Sequence, residues 1–146
     1  MPVAHADPIA DKLRINDLLL RFAHALDTKD FDGYADCYTR DGILQHTWGR
    51  HTGRDGLADA VRKNLSAFHR TQHFVTNHLI DVEGDVATSR ANLYAVHLRT
   101  EDDPAPWEVG GTYRCRAHRT ADGWKFAEVT IDAVWQRGGK AELGAL

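Results

Sequence analysis

The chain has 146 residues, 42% of them hydrophobic and 27% charged, with nine histidines and a formal net charge of −3 at pH 7. That length and apolar content suit one domain with a core of its own, expected as a single unit over 1–146 with its core from about 9 to 135 and a flexible C-terminal tail. Lys and Arg are scattered among acids, which argues against a nucleic-acid-binding surface; no apolar run is long enough to span a membrane, and no basic-then-apolar leader opens the chain, so the expected location is cytoplasmic.

Helices come first. Asp7-Pro8 is an N-cap and first-turn pair, and Ile9, Leu13, Asn16, Leu19, Phe22, Ala23 and Leu26 then recur at helical spacing up to Asp27. Lys29 to Thr39 repeats the pattern briefly, with Phe31, Tyr34, Ala35 and Tyr38 on one side, and Arg40-Asp41-Gly42 reads as the turn that ends it. Ile43 to Trp48 is a short strand candidate. Glycines 49, 53 and 56 bracket a loop before a third helix, whose apolar stripe is Leu57, Val61, Leu65 and Phe68.

Four longer strands follow as a meander: 72–82, 86–99, 108–119 and 124–135. Glu83-Gly84-Asp85 and Thr120-Ala121-Asp122-Gly123 are turn signals, and a loop carrying Pro104 and Pro106 joins the middle pair. Helices followed by long antiparallel strands make the expected class α+β, a strongly curved sheet folded over the helices with a pocket between them. On the second of these strands Ala87, Ser89, Ala91, Leu93, Ala95 and His97 share a face of mostly small side chains, which leaves room for a ligand. On the third, Tyr113, Cys115 and Ala117 face the same way, making Tyr113 a candidate pocket hydroxyl, while Thr112, Arg114, Arg116 and His118 form a polar outer face suited to solvent or a subunit contact.

The segment Arg70 to His78 places histidines at the start of a strand, where strict alternation puts His73, Val75, Asn77 and Leu79 on one face and Phe74, Thr76, His78 and Ile80 on the other. Asn77, sharing the face of His73, is a candidate substrate ligand, and so is Trp48, from a loop edge where an aromatic closes a pocket mouth; Trp107 has a similar position. His24 reads as helix surface, and His46, His51 and His69 as solvated loop residues. Cys37 and Cys115 read as buried free thiols and Trp124 as the packing anchor of the last strand. No trio of His, Cys and carboxylate has metal-ligand spacing and no Gly-rich phosphate loop opens a helix, so neither metal nor nucleotide cofactor is expected.

Asp27, His73 and His97 supply a carboxylate and two imidazoles, a set sufficient for acid–base chemistry. Each has a plainer reading: His73 as a core histidine satisfied by a carbonyl, Asp27 as a turn cap, His97 as an exposed strand end.

The segments Ala25-Leu26-Asp27-Thr28-Lys29-Asp30-Phe31, Thr71-Gln72-His73-Phe74 and Leu93-Tyr94-Ala95-Val96-His97 resemble, in order and rough spacing, the motifs of scytalone dehydratase and its SnoaL-like relatives, from about Ile9 to Trp135. The resemblance implies the cone-shaped nuclear transport factor 2-like fold and a catalytic group of Asp27, His73 and His97. A related hexachlorocyclohexane dehydrochlorinase is similar in using the Asp–His pair to eliminate HCl. One departure is Leu26, where the dehydratase has a tyrosine that helps polarise the substrate carbonyl.

The function expected from this is a cofactor-independent, dehydratase-like lyase acting by β-elimination on a small cyclic or polyketide-like carbonyl compound. His73 is the expected base, Asp27 its orienting partner, and His97 the group that protonates the leaving hydroxyl or holds the carbonyl oxygen. The alternatives are an isomerase or aldol cyclase starting from the same proton abstraction, or a non-catalytic ligand-binding or oligomerisation module. A homodimer or homotrimer is expected from the exposed sheet face.

Overall fold

The computed structural model describes residues 7–138; the expected C-terminal tail falls largely outside them. The elements are α1 (Pro8–Asp27), α2 (Phe31–Asp36), β1 (Tyr38–His46), β2 (Gly49–Thr52), α3 (Leu57–Leu65), β3 (Arg70–Glu83), β4 (Val86–Leu98), β5 (Trp107–Thr120) and β6 (Gly123–Arg137). All six strands form one curved, unclosed sheet in the order β2-β1-β6-β5-β4-β3. The architecture is α+β, with the meander β3 to β6 as read from the sequence. It is not antiparallel throughout, because β1 pairs with β6 in parallel.

Two local readings change. Arg40-Asp41-Gly42 is an irregularity inside β1, where the register against β6 jumps between Tyr38 and Ile43. Gly49 to Thr52, expected as loop, is β2, a short edge strand on β1. Both segments carry turn residues, and long-range pairing overrides that local preference.

α1 starts as expected, with the Asp7 side chain accepting from the Ile9 N–H at 3.0 Å. Its inward stripe is shifted, however. Ile9 and Leu13 are 73% and 66% exposed, whereas Asp11 is fully buried. Asp11 accepts from both Arg119 guanidinium nitrogens at 2.9 and 2.6 Å and from Trp124 Nε1 at 3.0 Å. A buried carboxylate is tolerated only with such partners, so an ion pair and not an apolar contact fastens the start of the helix to the end of the sheet. From Ile15 onwards the stripe is apolar, and Phe22 packs into an aromatic cluster with Tyr34, Tyr38, Tyr113 and Phe126. Cys37 and Cys115 are buried free thiols, and Trp124 is buried, as expected.

A bulge in β3 overturns the strict alternation read there. Pairing with β4 runs to Thr76↔Asn92 and resumes at Leu79↔Arg90, so Asn77 and His78 together oppose Ala91. Asn77 takes up the extra residue with φ of 56°, in the left-handed region that Asn tolerates better than most residues. Asn77 is therefore exposed, while His78, Ile80 and Val82 continue the inward face begun by His73 and Val75. In β5, Gly110 lies under the Trp135 ring so closely that a Cβ would stand 2.0 Å from Trp135 Nε1, which only glycine permits.

Candidate active site

The end of α1 delivers the carboxylate. Thr28 caps the helix, Lys29 adopts φ of 56°, and bonds from Lys29 N to Leu26 O and from Asp30 N to Ala25 O close it as a Schellman motif. Glycine is usual at this left-handed position. Here Lys29 holds it while its Nζ donates to the Phe68 carbonyl at 2.8 Å, tying the helix end to the segment before β3. Asp27 thus lies in the last turn, near the negative pole of the helix, an unfavourable place for a carboxylate.

Specific bonds offset that cost. Asp27 Oδ1 accepts from Thr71 Oγ1 at 3.0 Å and lies 2.7 Å from His73 Nδ1, and Oδ2 accepts from the His73 backbone N–H at 2.9 Å. Burial raises the Asp27 pKa, but the bonds from His73 and Thr71 outweigh it and leave the group below its usual value. An ionised carboxylate facing Nδ1 makes that nitrogen the protonated one in neutral His73, with the lone pair on Nε2.

The sheet register brings the second histidine alongside. Thr71 pairs with His97 and His73 with Ala95, so the two histidines are diagonal neighbours on one face of β3 and β4, with ring centroids 5.4 Å apart and nearly perpendicular. His97 is buried beneath Phe68 and Trp107, at centroid distances of 5.0 and 4.4 Å. Its Nδ1 lies 3.1 Å from the Trp107 carbonyl oxygen, which can only accept. Nδ1 therefore donates, and Nε2 carries the lone pair. Burial first, and His73 alongside, pull the His97 pKa down to about 3, so the ring is neutral near pH 7.

His73 and His97 line a cavity of about 100 Å³ between the inner sheet face and the helices. Its other walls are mainly apolar, among them Leu26, Val61, Leu93, Val109 and Ile131. Tyr113 lines it too, 1% exposed and with no hydrogen-bond partner for its hydroxyl among the described residues. Burial raises its pKa well above the usual value, which keeps it a phenol. Trp48 lines the cavity and packs on Trp107 at 5.4 Å. Asn77 does not reach it, because the bulge turns that residue out to solvent.

Some lining residues were misread or missed. His46, expected in solvent, faces the cavity and stacks on Trp48 at 4.3 Å; it lies two residues from buried Leu44, an alternation that reveals its face once β1 is known to be a strand. Trp107 is a wall and a tautomer-setting carbonyl, not a rim. Tyr34, whose hydroxyl is 2.9 Å from that of Tyr38, and Asn64 were not singled out. His24 is exposed, as a helix-surface residue. Among the described residues no group of three or more His, Cys, Asp and Glu side chains is arranged to hold a metal ion, and no helix is long and apolar enough to cross a membrane.

Residues 7–130 match the SnoaL-like domain. The chain belongs to the SnoaL-like family. Solved structures agree with the fold. The Kfla4162 protein of Kribbella flavida is 30% identical with a TM-score of 0.81, covering 88% of this chain and 93% of its own. A candidate scytalone dehydratase of Novosphingobium aromaticivorans is 19% identical with a TM-score of 0.83, covering 94% and 93%. A hexachlorocyclohexane dehydrochlorinase, LinA type 2, is 18% identical with a TM-score of 0.80, covering 94% and 95%. At those last two identities the likeness is one of fold, the nuclear transport factor 2-like cone. Within this SnoaL-like chain, Leu26 occupies the cavity wall beside Asp27, and Tyr34 and Tyr113 are phenols that line the cavity.

Proposed function

We propose that this SnoaL-like protein is a cofactor-independent lyase that removes a proton next to a carbonyl group and expels a leaving group from the β-carbon of a small cyclic substrate. The observation that carries the reading is His73, bound to Asp27 at Nδ1 and free to present Nε2 to a mainly apolar cavity. Two relatives in fold are named for eliminations, one of water and one of HCl.

His73 Nε2 takes the α-proton and the C–H electron pair becomes an enolate. Asp27 stabilises the imidazolium that forms. The Tyr113 hydroxyl donates to the carbonyl oxygen as negative charge develops there. As the enolate collapses to a C=C bond, the C–O bond to the leaving group breaks and the imidazolium returns its proton, so a β-hydroxy ketone yields an enone and water. The sequence reading had His97 protonate the leaving hydroxyl or hold the carbonyl oxygen. A neutral ring that already donates Nδ1–H to Trp107 has only a lone pair to offer at Nε2, so His97 here accepts a hydrogen bond and positions substrate.

The test is incubation with β-hydroxycyclohexanone, following enone absorbance and product mass. Enone formation that disappears in His73→Ala supports the lyase. A His73-dependent product that retains all its atoms makes the protein an isomerase or cyclase, and the absence of any His73-dependent turnover across hydroxy ketones leaves a binding module.

A further inference from the structure

The chemistry of the cavity wall says which ring substituents this site accepts. α3 presents Leu57 and Val61 inward, and the next positions on that face are Asn64 and Leu65. Asn64 therefore sits in an apolar stripe where a purely structural helix would carry an aliphatic side chain. It lines the cavity with His73 and His97, and its Oδ1 is buried without a hydrogen-bond partner among the described residues. A buried acceptor left unpaired is costly and in native proteins is normally satisfied. His97 Nε2 is a second acceptor in the same wall, because the Trp107 carbonyl occupies its N–H.

We infer that Asn64 Oδ1, with His97 Nε2 as a second acceptor in the same wall, selects among ring compounds those that present a hydroxyl group to it. This rests on the cavity being the substrate site. A hydroxyl donates to such an acceptor; a carbon-bound chlorine donates nothing and would leave Oδ1 unpaired in a desolvated wall. Size agrees. A cavity of about 100 Å³ lies below the roughly 150 Å³ of a dry cavity that accommodates benzene, so it limits the ligand to at most one ring, with side-chain adjustment on entry. The carbonyl end is served by the donor on Tyr113 and the hydroxyl end by Asn64 and His97, so the two ends are chemically distinct.

The inference can be tested without turnover, by calorimetric titration of the whole chain with resorcinol and with meta-dichlorobenzene, two rings of the same substitution pattern. The native protein should bind resorcinol about ten-fold or more tightly over its chlorinated counterpart, against the greater hydrophobicity of the latter. Asn64→Leu, close in volume, should lose about ten-fold in resorcinol affinity and none for the chlorinated ring; if Asn64→Leu does not fold, Asn64→Ala is read the same way. Equal or tighter binding of meta-dichlorobenzene by the native protein, or an unchanged preference in the variant, overturns the inference. These outcomes are separate from failure of the lyase reading, which is scored by enone production: a protein that shows the preference but makes no enone keeps its acceptor pair and loses its proposed reaction.

Discussion

Asp27 holds His73 by two atoms at once, with Oδ1 2.7 Å from the ring Nδ1 and Oδ2 accepting the backbone N–H at 2.9 Å. The first contact sets the tautomer and the second fixes the strand start against the helix end, so ring orientation and backbone position are coupled. If His73 is the base, His73→Ala should lower turnover of β-hydroxycyclohexanone by at least about 100-fold with the fold intact by circular dichroism. Asp27→Asn should lose activity less, and the double variant should be little worse than His73→Ala, because residues acting as one unit are non-additive. Fully additive losses would argue against the pair.

Tyr113 is the donor assigned to the carbonyl oxygen. Tyr113→Phe removes one hydroxyl and no ring contact, so the packing on Phe22 at 5.4 Å should persist. The expected loss is about 10²-fold in kcat, at the scale of removing one donor to a developing oxyanion. An unchanged kcat with an unchanged KM removes Tyr113 from the reaction.

His97 makes stability depend on pH in a definite direction. Burial and His73 hold its folded pKa near 3, against 6.5 for the free group. Between those values the unfolded chain binds a proton that the folded chain does not, so stability rises with pH across this window and is lost as pH falls from about 6.5 towards 3. Tm measured from pH 7 to pH 5 should fall more steeply for the native protein than for His97→Gln; parallel slopes would show that His97 is not held neutral.

The Asp11–Arg119 pair should behave oppositely to the proposed catalytic set, affecting stability and not chemistry. The bonds from Arg119, opposed by burial and helped by Trp124, hold Asp11 well below its usual 3.8. That stabilisation is complete above about pH 4 and fades as the solution is acidified further. Asp11→Asn removes the buried partner of Arg119 and leaves it only the exposed Asp85 as charge partner, 2.8 Å from its Nε, and should cost about 2 kcal/mol, roughly 6 °C in Tm for a domain of this size, with kcat unchanged below the transition.

Asn77 tests the bulge. Because its φ is 56° and its side chain is exposed, Asn77→Gly should be neutral or slightly stabilising, whereas Asn77→Val should cost about 1–2 kcal/mol. Neither should change KM. An affinity loss in Asn77→Gly would place that residue in the cavity after all.

The helix over Pro8–Asp27, the meander and the small-residue inner face of β4 were legible in the sequence because each rests on short-range signals: a cap, a period, a turn. So were the motifs holding Asp27, His73 and His97, through a family resemblance more than through spacing. The alternation read along β3 failed for one reason. A single extra residue at Asn77 reverses every side chain after it, and nothing in Thr76-Asn77-His78 announces a bulge until Thr76 is seen against Asn92 and Leu79 against Arg90.

What the sequence determined by itself was therefore the inventory: an α+β domain with an acid and two imidazoles on separate segments, and glycine and tryptophan signals at the strand ends. Tertiary structure alone decided their states. The Trp107 carbonyl that makes His97 an acceptor is ten residues away along the chain, the Asp27–His73 bond spans 46, and the exposure of Asn77 and the inward turn of Asn64 depend on how β3 and α3 lie against the sheet. A proton's place on a ring follows from its nearest neighbours in space, and those neighbours exist only once the chain has folded.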